Sequence, residues 1–288
     1  MKKLFLIGVL CLSLTAVGFS MGFSIKATGG LSLLFGGDYN SAVQGQNDLY
    51  HAETGVTVNS ELSKLSLGID FGAEFILQFT DSMGVGLGVG YITASNDSTL
   101  AVHVTALGIG YSENYKPSVS VVPLTLSFHY FLPLGSSVRL HFFAGPGLYL
   151  ATVKFDSTLI ATLGAIEVGK AVLAYTPDTK LAFGFQGGIG IEFGLSRNIA
   201  LLLDAAGRYL SISGLSGSWV LDGHEGLIPV HMTGTGTFYY YESEGGGNYY
   251  GTLDVSDTLP SGGFIRNVRE ASISLSGIQF QTGVRIRF

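Results

Sequence analysis

Ser127 and His129 are the residues whose types and spacing could support catalysis. They stand two apart in an alternating stretch and so share one face of a β-strand. A serine nucleophile would also need its base within hydrogen-bond reach and a third group that orients the base. If the sheet closes on itself, both side chains should point into its lumen, away from lipid substrates. No spacing of histidine, cysteine and carboxylate residues matches a zinc or calcium site. We therefore predict no catalytic activity, no metal site and no cofactor.

The other residues that could do chemistry are charged side chains on the polar faces of alternating stretches. A sheet that closes with its apolar face outward would bring them together inside. The set contains four acids, five cations and two histidines, namely Asp70, Glu74, Glu192, Asp204, Lys26, Arg139, Arg208, Arg285, Arg287, His129 and His141. Unpaired charges in a narrow interior are costly, so we predict salt bridges between neighbouring strands. The predicted pairs are Lys26 with Glu74, Arg139 with Glu192, and Arg285 or Arg287 with Asp204.

The elements that must position these side chains are stretches in which apolar and polar residues alternate, as in a β-strand with two different faces. Residues 278–288 are the clearest case, with an apolar set at even positions and Arg285 and Arg287 at odd ones. Seven earlier stretches repeat the pattern at 22–36, 65–80, 84–95, 119–132, 138–153, 181–195 and from 199 onward. Pro146 predicts a β-bulge in the fifth stretch. A change of phase at Gly277, in a last strand that begins near Ala271, predicts a second bulge.

Short and long connections alternate between these stretches. The short ones lie at 81–83, 133–137 and 196–198, and the loops at 38–64, 96–118, 154–180 and 214–270. This order predicts an all-β fold, a transmembrane antiparallel up-and-down β-barrel of eight strands with short periplasmic turns and long extracellular loops. Residues 101–111 and 158–173 also have β character. They form either hairpins above the membrane or extra barrel strands, which would make ten or twelve; we favour eight.

Composition favours a membrane barrel over a soluble sheet protein. Charged residues make up 12% of the chain, mean hydropathy is +0.41, and 42 of 288 residues are glycine. Lys2 and Lys3, followed by an apolar run, predict a signal peptide over residues 1–20, which leaves a barrel domain at 21–288. Without these two lysines, 13 basic and 21 acidic residues give a charge of −8. That balance argues against a nucleic-acid partner.

The longest loop is rich in aromatic residues set among glycines. The candidates for surface recognition are Trp219, Tyr239, Tyr240, Tyr241, Tyr249 and Tyr250. Tyrosines with glycine and serine make adaptable recognition surfaces. Alternatively, these side chains pack on one another or lie at the outer membrane interface. The sequence leaves both interpretations open.

In organisation the chain resembles the small outer-membrane barrels of Gram-negative bacteria, the OmpA/OmpX/OmpW-like group. The resemblance rests on the expected signal peptide, on Phe288 at the end of an alternating strand, and on two motifs. Pro123-Leu124-Thr125 with Tyr130, and then residues 143–147, FAGPG, are similar to consecutive strands of OmpW-like proteins. The resemblance implies a monomer in outer-membrane lipid, with Phe288 recognised by the barrel-assembly machinery. It also implies passage of small hydrophobic molecules through an apolar lumen, from which the charged inward face departs.

Two functional hypotheses follow. In the first, the chain is an outer-membrane scaffold with a charge-paired, plugged lumen, and its acidic, Tyr/Gly-rich loops serve surface interaction or envelope integrity. In the second, it is a narrow porin-like channel, or a lateral-exit path, for small solutes or hydrophobic molecules. An eight-stranded barrel is only wide enough to be filled by side chains, so we favour the plugged scaffold.

Overall fold

The computed structural model describes residues 22–104 and 107–288. The predicted signal peptide, residues 1–20, lies outside the described residues. Over the described ranges the chain forms sixteen β-strands and one α-helix. In chain order these are β1 Gly22–Leu34, α1 Asp38–Ala52, β2 Val56–Ser60, β3 Leu67–Gln78, β4 Met83–Ser95, β5 Ser98–Val104, β6 Ile109–Pro133, β7 Val138–Leu163, β8 Ile166–Pro177, β9 Lys180–Gly194, β10 Ile199–Ile212, β11 Ser216–Glu225, β12 Ile228–Gly245, β13 Asn248–Ser256, β14 Ile265–Glu270, β15 Ile273–Ser274 and β16 Gly277–Arg287.

Eight of these strands form a closed ring of antiparallel pairs. The order around the ring is β1, β3, β4, β6, β7, β9, β10, β16 and back to β1. Neighbours in the ring follow one another along the chain, apart from the strands inserted in the loops. The turns at residues 79–82, 134–137 and 195–198 define one end, the turn end; the other end is the loop end. The eight predicted alternating stretches supply the eight ring strands.

The predicted loops are largely regular structure. Strands β6 and β7 continue past the ring to lengths of 25 and 26 residues. The continued parts pair with β5 and β8, and the sheet extends to β2 on one side and through β11 and β12 to β13 on the other. We call this part the extension sheet. The described residues of 101–111 and residues 158–173 therefore belong to antiparallel strand pairs beyond the ring, in agreement with the first of the two alternatives, and do not enlarge the ring.

The prediction of a loop over residues 38–64 is wrong, because residues 38–52 form α1. The helix buries Tyr39, Ala42 and Val43, which have helical spacing. Its buried Asn40 donates to the Leu65 carbonyl at 3.1 Å and accepts from the Leu65 amide at 2.8 Å. Asn47 makes the same pair of bonds with Leu62, at 2.9 and 3.0 Å. Polar residues that indicated a loop therefore fix the helix to the segment that follows it.

The helix also bridges the two margins of the extension sheet. It packs against β13 at one margin and β2 at the other. At Gly45 the helix lies so close to the backbone of Gly251 that a side chain would clash with it. Over the described ranges, no helix is both long enough and apolar enough to cross a bilayer.

The ring interior changes character from the turn end to the loop end. Charged side chains fill the half near the turns. Beyond them lies an apolar cap, which we define as Leu34, Tyr39, Val43, Leu65, Ile92, Val121, Tyr149, Leu210 and Leu275. The cap joins ring strands, α1 and residues 271–275 in one buried cluster. Full burial of each large apolar side chain contributes about 1.5–3 kcal/mol.

The two predicted bulges are absent. Against β10, the pairings Ile212–Ile273, Ser211–Ser274 and Arg208–Gly277 keep one register. The odd-numbered residues from 271 to 287 all face inward. The sequence appears to change phase because the inward residues are apolar at 273 and 275, in the cap, and polar or charged from 279 onward. Pro146 pairs opposite Phe185 in an unshifted register with β9. On its other side the register with β6 is also unshifted, although the Leu126–Pro146 and Ser127–Gly145 pairs are missing.

The outer surface of the ring is a continuous apolar band. Large side chains such as Phe71, Leu87 and Phe185 point away from the interior and are 58%, 64% and 53% exposed. Every ring strand contributes to the band, which on β6 covers residues 122–132. This is about the 9–11 residues that a tilted strand needs to cross a bilayer.

Candidate functional site

All eleven residues of the predicted charge network point into the ring interior. The ring brings them together because each lies on the inward face of its strand. Lys26 Nζ lies 2.7 Å from an Asp204 carboxylate oxygen and 4.0 Å from Glu74. The Lys26–Glu74 contact is one of the predicted pairs, and these two residues are direct cross-strand partners. Asp204 is therefore neutralised by Lys26.

Glu192 is the centre of the network at the turn end. Its carboxylate accepts from Arg139 at 2.5 and 2.9 Å, from Arg285 at 2.7 Å and from Arg287 at 2.8 Å. The Arg139 pair agrees with the prediction. The prediction that Arg285 or Arg287 binds Asp204 is wrong, because both guanidinium groups reach toward the turn end, where Glu192 lies. The Glu192 side chain is 1% exposed and Arg285 is 0% exposed, so this pair is fully removed from solvent.

Two stacked histidines connect two carboxylates across the interior. His129 Nδ1 and His141 Nε2 are 2.7 Å apart, and His129 Nε2 lies 2.9 Å from Glu74. The far side of His141 lies 3.9 Å from Asp204. Both rings stack between Phe131 and Phe143. The sequence indicated that the two histidines face inward, but not that they are adjacent.

The geometry around Ser127 does not match a catalytic triad. Its hydroxyl contacts Glu74 and lies 2.9 Å from His129 Nε2, the same nitrogen that faces Glu74. In a triad, the carboxylate and the nucleophile occupy different ring nitrogens. Ser127 is also 2% exposed. Nowhere in the described ranges do three or more histidine, cysteine or carboxylate side chains come together as metal ligands.

Asp70 and Arg208 lie where the charged half meets the apolar cap. Asp70 accepts from Ser32 at 2.5 Å and from Gln281. Arg208 donates to the Leu275 carbonyl at 3.0 Å and to Ser32 at 3.5 Å. Among the described residues, no carboxylate lies within salt-bridge distance of Arg208. A cavity of about 70 Å³ lies beside these side chains.

The aromatic residues predicted as a recognition surface are in different environments. Tyr240 is 6% exposed and packs in the core beneath Arg269, whose guanidinium lies 4.1 Å from the ring centre. Trp219 is half-buried against the same core. Tyr239, Tyr241 and Tyr250 are half-buried, and only Tyr249 of the set is exposed. For Tyr240 and Trp219, packing is therefore the better interpretation.

The tips of three neighbouring hairpins carry exposed aliphatic residues that the sequence analysis did not single out. They are Leu107, Leu163, Ile166, Leu227 and Ile228. Gly164 N donates to the Gly108 carbonyl and Gly226 N to the Val168 carbonyl, at 2.9 and 2.8 Å, so the tips stand in a row. Leu163 is thirteen residues beyond Leu150, the last band residue of β7, which corresponds to about 40 Å along the strand. In the sequence, these tips could have been recognised by the apolar residues that flank each turn glycine.

Phe288 lies at the turn end beside the start of β1. Its ring stacks on Phe23 with centroids 5.0 Å apart, and its amide donates to the Phe23 carbonyl at 2.9 Å. The aromatic end of the chain is thus part of the outer surface of the ring. Its recognition by an assembly machinery stays a prediction.

Comparison with known proteins gives a likeness only to solved structures. No protein-family model matches the chain, and no curated protein matches it. The outer membrane protein OprG from Pseudomonas aeruginosa aligns over 94% of this chain and 97% of its own, with 11% identity and a TM-score of 0.39. A major outer membrane protein from Thermus thermophilus aligns over 93% and 100%, with 15% identity and a TM-score of 0.35. Values this low establish neither a family nor an activity.

Proposed function

We propose that this chain is an integral outer-membrane β-barrel whose interior is closed, and that it acts as a scaffold for the extension sheet. The observation that carries the proposal is the apolar band around a ring whose charged side chains all face inward. In water, such a band would be a very large exposed apolar surface, which soluble monomers avoid. In a bilayer, the band would face lipid, and ring closure would leave no unpaired strand edge.

Two layers support a closed interior. In the half of the ring nearer the turns, the salt bridges of Glu192 and Asp204 fill the lumen with paired charges. At the loop end, the apolar cap and α1 cover it. Charged groups are tolerated in so narrow a space when they are paired and hydrogen-bonded, as most of these are. A solute would have to displace both layers to pass.

The extension sheet supports a role in contact with something outside the membrane. It carries the row of aliphatic tips beyond the band, about 40 Å from it as measured along β7 from the strand rise. Exposed apolar patches on soluble parts of proteins commonly mark interaction sites. The extension also carries acidic residues, including Asp222, Glu225 and Glu244. Surface interaction is therefore the function that this arrangement supports best.

Depth measurements with spin-labelled lipids would test the membrane assignment. Residues 21–288 would be refolded into phosphatidylcholine vesicles with a single fluorophore at Leu87→Cys, in the band, or at Leu163→Cys, on a hairpin tip. We expect lipids with deep nitroxides to quench the label at position 87 strongly and the label at position 163 hardly at all. Equal, weak quenching at both positions, or a chain that stays soluble without detergent or lipid, would contradict the assignment.

A second candidate function is a narrow path for small hydrophobic molecules that leaves through the barrel wall. One feature favours it, an outer apolar groove of about 490 Å³ at Pro146, lined by Leu87, Leu124, Leu148 and Phe183. The groove lies where pairs are missing between β6 and β7, and it shares Gly88 and Thr125 with the inner cavity. Replacing Leu148, which points outward from β7 into the groove, by Trp would fill part of the groove. A path of this kind predicts slower uptake of a small apolar dye into vesicles, whereas the closed scaffold predicts no change.

A further inference from the structure

The cavity inside the ring is polar, and its free hydrogen-bonding capacity is unbalanced. It holds about 70 Å³ and lies between the charged half and the apolar cap. The polar side chains in its wall are Lys26, Thr28, Asp70, Glu74, Thr125, Gln186, Arg208, Gln279 and Gln281. Four of these are formally charged, two of each sign. What matters for a ligand is which of them still have unused donors or acceptors.

Arg208 is a buried cation without an acid in contact. It is 6% exposed, and its partners in the described part of the chain are the neutral oxygens of Leu275 and Ser32. A guanidinium offers five N–H donors, and these two bonds leave several unused. Ser32 links Arg208 to the Asp70 carboxylate, but no carboxylate touches the guanidinium itself, and burying a charged group without a direct charged partner is costly. An acceptor of negative charge in the cavity would remove that cost.

Gln279 provides a second, independent unused donor. It is 4% exposed, and its Nε2 atom has no acceptor among the described residues. Gln279 lies on β16, next to β10, which carries Arg208. In this strand pair Gln279 is opposite Ala206 and Gly277 is opposite Arg208, so the two side chains are close neighbours. Gln186, which also lines the cavity, is the cross-strand partner of Arg208 on β9. Three adjacent strands therefore direct donor-bearing side chains to one space.

The acids in the cavity wall already have donors. Asp70 accepts from Ser32 and Gln281, and Glu74 accepts from Ser127 and faces His129. Lys26 is held by Asp204 at 2.7 Å. The free capacity is thus mainly that of Arg208 and Gln279, which is the capacity that an anion requires.

We propose that this cavity binds a small inorganic anion of the size of chloride, held by the Arg208 guanidinium and the Gln279 amide. The available volume suits such an ion with one or two waters, since a water needs roughly 10–15 Å³ of this kind of space. A six-carbon anion such as gluconate does not fit. The bound ion would give Arg208 a charged contact, which none of the four carboxylates of the interior makes with it.

Thermal unfolding of the refolded chain in two sodium salts tests the proposal. Protein purified without halide would be unfolded in detergent in increasing sodium chloride or sodium gluconate at equal sodium concentration. A ligand that binds the folded state alone raises Tm with its concentration. We expect Tm in chloride to rise above Tm in gluconate and then to saturate. Equal Tm values in the two salts would overturn the proposal, and so would a difference that keeps growing without saturation.

Two variants and a control locate the effect. Arg208→Gln should weaken the apparent chloride affinity at least tenfold. Gln279→Glu places a carboxylate where the ion would lie, so its Tm should be the same in both salts and as high in gluconate as the wild-type Tm in chloride. This variant keeps the test decisive if Arg208→Gln does not fold. Arg266→Gln removes an exposed arginine, and its Tm should be higher in chloride than in gluconate by the same amount as in the wild type.

Crystals grown in sodium bromide give a direct readout. We expect one anomalous bromide peak within hydrogen-bond distance of the Arg208 guanidinium and the Gln279 amide. Ordinary water density in the cavity without an anomalous signal would mean that the unused donors are simply hydrated, and the proposal would be wrong. The proposal would also be wrong if the Tm of Gln279→Glu were still higher in chloride than in gluconate.

Discussion

Glu192→Gln removes the negative charge that three interior arginines share, and we expect it to lower the free energy of unfolding by about 3–5 kcal/mol. This is the range for breaking a buried ion pair by removing one partner, because the other charge is left uncompensated. The substitution keeps the size and shape of the side chain. Loss of packing therefore contributes little to the expected change.

The structure shows which arginine carries most of this cost. The Arg285 side chain is 0% exposed, and its other partners, Ser24 and Gln78, are neutral. Arg139 and Arg287 have side chains that are 22% and 25% exposed, so they can turn toward water at the turn end. The double variant Glu192→Gln/Arg285→Gln removes both buried charges. It should therefore be more stable than Glu192→Gln alone.

Urea unfolding of the chain refolded in lipid vesicles, followed by tryptophan fluorescence, measures these differences. Glu242→Gln is the matched control, because Glu242, 23% exposed, pairs with Arg266, whose 54% exposed side chain stays in solvent when the carboxylate is removed. An exposed pair of this kind contributes at most about 1 kcal/mol. If Glu192→Gln costs no more than Glu242→Gln, or if the double variant is no better than the single one, the reasoning about buried charge fails.

Three further results are expected. Tyr39→Ala, which removes a 1% exposed ring of the apolar cap, should cost about 3–5 kcal/mol in the same urea assay, and a loss below about 1 kcal/mol would show that Tyr39 is not tightly packed in the cap. Tyr240→Ala should destabilise strongly whereas Tyr249→Ala should change stability by about 0.5 kcal/mol or less, because Tyr240 is buried and Tyr249 is exposed; equal losses would contradict the packing role. Burial raises the pKa of Glu113, in the extension sheet, above 4.5, so the folded chain holds this proton more tightly than the unfolded chain, and stability should fall as pH rises from 4.5 through the raised pKa. Glu113→Gln should flatten that dependence of the urea midpoint on pH, and an unchanged slope would assign it to other groups.

The eight ring strands could be predicted because alternation is a strong signal wherever one face is apolar and the other polar. The same signal placed all eleven network residues inside. Alternation was misleading near the loop end, because there the inward residues are apolar as well and no longer differ from the outward ones. A phase change at Gly277 would turn Ile273 and Leu275 outward, yet both face inward into the cap.

Helix α1 could not be recognised from polarity, because its buried face includes amides. Asn40 and Asn47 are buried because they satisfy backbone groups of a distant segment, a partnership that no local pattern reveals. The partners of Arg285 and Arg287 were missed for a related reason. Strand order fixed which residues are neighbours, but the reach of a long side chain decided that Arg285 binds Glu192.

The single-channel conductance of the refolded chain in a planar bilayer tests the closed interior most directly. With paired charges at one end and the apolar cap at the other, we expect insertion without a stable open state in molar salt. A steady, reproducible conductance from the wild-type chain would show that the two layers do not seal the ring. The closed scaffold would then have to be replaced by a channel.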